Sequence, residues 1–303
     1  MPSLWKFGGL TPILLTQRAI TKMGKDELST RSAALSYYFI LALFPMLLFI
    51  VSLIGIFAGQ NSELRETIFS ALGHLAPGSA SDLMHTVVSQ TAKSSSALKI
   101  GAGILGALWA ASAGVGAVVV SLNVVYQYNE RRPWWKQKLT VLGLTASLAA
   151  LIIFAVVLVL YGGKIGNALA MHFGLGHSFT VTWAILQWPF LFAAMFLSFA
   201  LIYYFGPDAP EPSWHWVTPG AALGVVLWLL ASLGFRAYLH FFNSYSATYG
   251  SLGAVIILLL WLYITGFAIL IGAELNAVIE AEDRHAALHE SVLRRVHGQM
   301  KAA

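Results

Sequence analysis

Between Ser251 and Ala273 the chain runs 23 positions without a charged residue. At about 1.5 Å per helical residue that is roughly 35 Å, enough to cross a hydrocarbon core of about 30 Å with some tilt. A helix on the surface of a soluble domain keeps a polar face, whereas this one is apolar all round. It therefore reads as a membrane span. Glu274 and Asn276 fall in its last turns, and a carboxylate at that depth is expected to face protein or water, not lipid.

Five further apolar stretches follow the same logic, and composition agrees: 58% of residues are apolar and only 10% charged, against about 25% charged in soluble domains. The expected fold is all-α, a polytopic membrane helix bundle with six transmembrane helices, over 33–59, 99–126, 139–160, 181–205, 216–241 and 251–278. Residues 1–280 read as a single membrane domain and 281–303 as a polar cytoplasmic tail. Gly162 to Phe179 reads as a short glycine-rich connection. Pro45 cannot donate to the carbonyl of Leu41, so the first span should kink or carry a packed irregularity there. Ser32 and Ser36 stack one turn apart where Arg31 enters that span, with hydroxyls expected to bond a neighbouring helix or a substrate.

Outside the spans, Thr11-Pro12 reads as a helix start, and Leu14, Leu15 and Ile20 share its turns with Arg18, Lys22 and Lys25. That pattern predicts an N-terminal interfacial helix, basic side toward headgroups. Residues 61–98 read as an extracytoplasmic helical hairpin, with Pro77-Gly78 at its turn and Ser79-x-x-Asp82 as a capping box. In the second span Gly106, Ala110 and Gly114 recur every four positions as a flat ridge. Such a ridge serves contacts inside one chain and between copies equally, so homo-oligomers stay open. Gly101-Ala-x5-Leu-Trp109 echoes Gly220-Ala-x5-Leu-Trp228, a weak hint of an inverted repeat.

Lys and Arg set the orientation. With the N-terminus inside, 13 of the 18 fall on inner segments, among them Lys22, Arg31, Arg131, Arg132, Lys136 and Lys138. Both termini are thus expected in the cytoplasm. Arg131 to Lys138 (RRPWWKQK) mixes basic and aromatic residues. Positive-inside bias and an aromatic belt explain that mixture without nucleic acid, and anionic lipid headgroups at the cytoplasmic face are its natural partners.

The motifs YGSLGAV from Tyr249, LWLY ending at Tyr263 and GAELN ending at Asn276 resemble the YihY/BrkB family of bacterial membrane proteins, formerly labelled ribonuclease BN. AALSYY with Ser36, Tyr37 and Tyr38, then Pro45, agrees with this. So do LNVVY with Asn123, the Arg131-Arg132-Pro133-Trp134 run, and PGAAL followed by LWLLAS in the fifth span. The resemblance covers about residues 20 to 280 and implies a bacterial inner-membrane protein suspected of handling lipids or envelope precursors.

The chain holds no cysteine, which excludes thiol catalysis and Cys-zinc sites. Carboxylates are scattered, and no HExxH, GxSxG or phosphate-binding glycine loop is present, so ribonuclease activity is not expected. Glu282, His285 and His289 share a helix face in the polar tail, a pattern more frequent by coincidence than as a metal site. No catalytic residue, metal or cofactor is expected.

Transport of a lipid or other amphiphile remains, with a non-transporting scaffold as the alternative. No charged residue is expected near the centre of any span, which suits a mostly apolar cargo. Residues expected to matter are Arg31, Ser36, Tyr37, Tyr38, Pro45, Asn123, Arg131, Arg132, Arg236, Tyr249, Tyr263, Glu274 and Asn276. Glu274 is expected to point inward and pair with Arg31, Arg131 or Arg132, assisted by Asn123 or Asn276, because an unpaired carboxylate there would protonate.

Overall fold

The computed structural model describes residues 4–57, 97–174, 176–210, 217–241 and 245–302. Among them every regular element is helical: a 3-10 segment Leu4–Gly9, then α1 (Pro12–Lys25), α2 (Leu28–Phe57), α3 (Ala97–Val125), α4 (Trp134–His172), α5 (His177–Phe205), α6 (Pro219–Phe241) and α7 (Tyr245–Ala302). Six of these, α2 to α7, are long and apolar enough to cross a membrane. Helices suit that role because each satisfies its own backbone groups where no water is present. The expected hairpin at 61–98 lies almost wholly outside the described residues.

Two boundaries differ from the sequence reading. The first is α4, which continues through Gly162, Gly163 and Gly166 to His172 instead of ending near Leu160. Gly162 and Gly166 make room: Trp183 of α5 packs against Gly166 and donates to the Gly162 carbonyl at 2.6 Å, while Gln187 occupies the space a Gly162 side chain would need. In the second case the polar tail is continuous with the last span, so α7 is one helix of 58 residues. The prolines Pro45 and Pro189 sit inside α2 and α5, which continue through them.

The chain divides into two compact units. One comprises residues 1–36, 118–132 and 195–303; the other comprises 37–117 and 133–194. In the first unit α6 and α7 cross on glycine. A Cβ on Gly220 would overlap the Gly272 carbonyl oxygen and lie 2.6 Å from Asn276, while one on Gly272 would overlap the Tyr203 hydroxyl. Tyr203 itself donates to the Ile269 carbonyl at 2.7 Å. Apolar contact between helices brings no transfer gain in hydrocarbon, so dispersion from such close backbone approach is what holds them.

Helix α1 joins this unit through protein contact. Thr11 caps it, accepting from Leu14 N at 3.4 Å. Its Leu15 and Ala19 pack with Val278 and Ile279 of α7. Lys22 is one turn further along that stripe, so its head turns toward protein and not toward headgroups as the basic-face reading had it; Arg18 pairs with Glu282. Ile13 and Ile20 are left exposed.

In the second unit, a Cβ on Gly114 of α3 would lie 3.1 Å from Ala42 and 3.3 Å from the Phe39 ring, whereas among the described residues nothing lies within 4 Å of a Cβ on Gly106 and Ala110 is exposed. Among the described residues only one position of the expected ridge is therefore filled. The echoed segments also differ in surroundings: Gly220 is at a tight crossing, whereas no described residue lies within 4 Å of a Cβ on Gly101.

Candidate functional site

The charged groups gather in three places. First, Glu274 is fully buried, with 0% of its side chain exposed. Its partner is Lys22 of α1, whose Nζ lies 2.7 Å from Oε1, and no arginine takes that role. The same ammonium contacts Asp26 Oδ2 at 2.7 Å and donates to the Val125 carbonyl at 2.5 Å. Neither Glu274 oxygen accepts a well-formed hydrogen bond, so the ion pair alone compensates this carboxylate. The expected arginines are otherwise engaged. Arg31 Nε donates to the Asp26 carbonyl at 2.8 Å, Arg131 is near Asp208, and Arg132 is committed elsewhere. The arginines lie next to span ends in sequence, whereas α1 brings a lysine from the far end of the chain.

Second, Arg132 ties the connection after α3 to the end of α5. Its Nε and Nη2 meet Glu130 Oε1 and Oε2 at 2.7 and 2.8 Å in a fork. Its Nη1 and Nη2 also donate to the carbonyls of Phe205 and Gly206 at the C-terminal end of α5, where helix carbonyls lack partners within the helix. Asn123 completes the clasp, donating to Glu130 Oε2 at 2.9 Å and accepting from Asp208 N at 2.8 Å. The Arg131 amide donates to Asp208 Oδ2 at 2.8 Å. Arg132 hydrogen bonds hold the Glu130 carboxyl below its ordinary range, outweighing the opposing effect of burial. Nearby, Asn276 accepts from Gly220 N and donates to Thr218 Oγ1, both at 2.9 Å, fastening the start of α6 to α7. These contacts hold helix ends together.

The third place lies in the other unit and is different in kind. Lys138 leaves the first turns of α4 and its Nζ donates to Ser112 Oγ at 2.7 Å, with the Trp109 ring centroid 4.0 Å away. Ser112 is fully buried and donates to the Trp109 carbonyl at 2.6 Å, leaving its lone pairs to the ammonium. Ser112 also falls near the middle of the span Gly101–Val125. The lysine stem thus carries its charge from the start of α4 to a buried serine halfway along α3. Among the described residues no carboxylate lies in ion-pair reach of it. Trp134, whose ring centroid is 6.3 Å from that of Trp109, flanks the group.

The remaining expected residues are dispersed. Ser36 and Ser32 bond back to carbonyls of their own helix, Ala33 and Leu28, both at 2.7 Å, and not to a neighbour. Tyr37 and Tyr38 are exposed and meet edge to face, Tyr263 stacks on Phe267, and Arg236 is exposed. Pro45 is half-buried within α2; the Tyr249 side chain lies outside the described residues. Sequence reasoning passed over Lys22 as a partner and Glu130, Asp208, Thr218 and Ser112 altogether, and took Lys138 only as an interfacial cation. Only the Asn123 and Glu130 pair, both beside the Arg131-Arg132 run, carried a local signal.

Comparison with known proteins fits a membrane chain of this kind. Residues 19–293 match the family model described as virulence factor BrkB. A ribonuclease-like protein, YfkH, of Bacillus subtilis is 32% identical over 253 residues, covering 84% of this chain and 90% of that protein. A UPF0761 membrane protein of Ralstonia nicotianae is 26% identical over 271 residues, covering 88% of this chain and 58% of that longer protein. Another, of Vibrio vulnificus, is 26% identical over 280 residues, covering 88% and 82%. No solved structure matches the chain. With six apolar helices and a family match over nearly its whole length, the chain is a membrane protein that belongs to the virulence factor BrkB family.

Proposed function

We propose that this is a protein of the bacterial inner membrane, with both termini cytoplasmic, that moves lipids or envelope-precursor amphiphiles across the bilayer. The observation that carries the reading is the Lys138 ammonium placed against Ser112 and Trp109 midway along the α3 span. A cation packed on an apolar span is costly, and such residues commonly mark a substrate path. A cargo with a polar head and long apolar portion needs few such groups. At the cytoplasmic face, exposed Trp134, Trp135, Lys136 and Arg131 would meet anionic headgroups.

The test is reconstitution into liposomes carrying a head-group-labelled lipid, with a membrane-impermeant quencher added outside. The expected result is faster exposure of inner-leaflet label than in protein-free liposomes, lost in Lys138→Gln. Folded, inserted protein that leaves the rate at the protein-free level for lipid and precursor probes alike would overturn the reading. A non-transporting scaffold is the second reading, favoured by the glycine crossing of α6 on α7. It predicts that Gly272→Leu abolishes function in cells while Lys138→Gln leaves it intact.

A further inference from the structure

Lys138 suggests what kind of head group such a cargo carries. We infer that Lys138 and Ser112, walled by the Trp109 and Trp134 rings, form a seat for the negatively charged phosphate-bearing head group of a lipid. The inference rests on the transport reading for its physiological meaning, but binding is measured apart from movement.

An ammonium has three donors. One goes to Ser112, and the Trp109 face covers a second direction. The third has no carboxylate to meet among the described residues. The hydroxyl cannot supply the missing charge, since its own proton is committed to the Trp109 carbonyl. A cation in apolar surroundings, short of a counter-charge, is stabilised most by an anion brought from outside. Lysine acts on phosphate as a point charge and does not need the planar fork that arginine offers carboxylates.

The approach to the seat argues for a lipid over a free ion. Trp109 and Trp134 remain 49% and 69% exposed, so the group opens sideways between two indoles. An indole presents an apolar body with one polar edge, which suits the junction between head group and acyl chain. A lipid can enter there with its tails still in hydrocarbon, whereas inorganic phosphate would have to shed its water with nothing apolar to offset the loss.

The experiment measures lipid binding to purified protein in zwitterionic detergent micelles by thermal shift and by native mass spectrometry. The probes are phosphatidic acid, phosphatidylglycerol, phosphatidylcholine and inorganic phosphate. Phosphatidic acid and phosphatidylglycerol are expected to bind and raise the melting temperature, and phosphatidylcholine and inorganic phosphate to do neither. Loss of a hydrogen-bonded charge pair should weaken binding roughly 10- to 100-fold in Lys138→Gln. Lys138→Arg should retain most of it, and Ser112→Ala should weaken it less than Lys138→Gln does. Equal affinity of folded wild type and Lys138→Gln for phosphatidic acid would overturn the inference, as would binding of phosphatidylcholine with the same affinity. Should Lys138→Gln fail to fold, the comparison of Ser112→Ala with Lys138→Arg decides in its place, and identical affinities overturn the seat. Loss of transport in Lys138→Gln with anionic-lipid binding unchanged removes this inference and spares the transport reading. Binding that depends on Lys138 in a protein that moves no lipid does the reverse.

Discussion

Removing Lys22 should destabilise the protein more than removing the carboxylate it faces. The two charges are 2.7 Å apart, which at an effective dielectric constant of about 20 is a gross attraction of about 6 kcal/mol. Desolvation of both groups offsets much of this. What survives as a measurable loss depends on what each deletion leaves behind. Lys22→Met strands Glu274, fully buried and with no hydrogen bond to either oxygen, a situation that costs about 3–5 kcal/mol. Asp26 loses the same partner but keeps some solvent. Glu274→Gln instead leaves the ammonium with Asp26 and the Val125 carbonyl, so the cost should be about 1–2 kcal/mol. The double variant Lys22→Met with Glu274→Gln removes both charges and should recover much of the Lys22→Met loss, since no uncompensated buried charge is left. Unfolding by SDS titration in mixed micelles, followed by far-UV circular dichroism, measures all three, and the cycle yields the coupling. Lys22→Met costing less than about 1 kcal/mol, or single losses that simply add in the double variant, would refute the reasoning.

Three further outcomes follow from the same contacts. Because Arg132 depresses the Glu130 carboxyl below its ordinary value of 4.5, the clasp's contribution should be complete above about that pH. It should fade as pH falls through the lower folded value, and Glu130→Gln should flatten that acid limb of the stability profile. Gly220→Ala should cost about 1–3 kcal/mol through overlap with Gly272 and Asn276, whereas Gly106→Ala, whose Cβ would meet none of the described residues, should be near neutral by the same unfolding measurement. For the proposed orientation, a cysteine at Ser178 should react with an impermeant maleimide added to intact cells, and one at Asn129 should react only after the membrane is opened.

The number and order of spans were readable from the chain alone because apolar length is a one-dimensional property. A helix in hydrocarbon satisfies its own backbone, so 23 uncharged positions suffice to announce one whatever packs beside it. The Thr11-Pro12 start of α1 was legible for the same reason, since a cap is made by residues within one turn. Polar partnerships were not legible in this way. Glu274 had to find a cation, but whether Arg31, Arg132 or Lys22 depended on which helix docked against α7, and α1 did so through Leu15 and Ala19. Glycine was ambiguous alike. Gly162 and Gly166 read as a break and are recesses for Gln187 and Trp183, while Gly106 read as a packing ridge and meets nothing among the described residues. Only a neighbour decides what an absent side chain is for. Lys138 is the extreme case: next to Arg131 and Arg132 it counts as one more interfacial cation. Its four-carbon stem lets the charge reach Ser112 in the middle of another helix, and no sequence spacing encodes that choice.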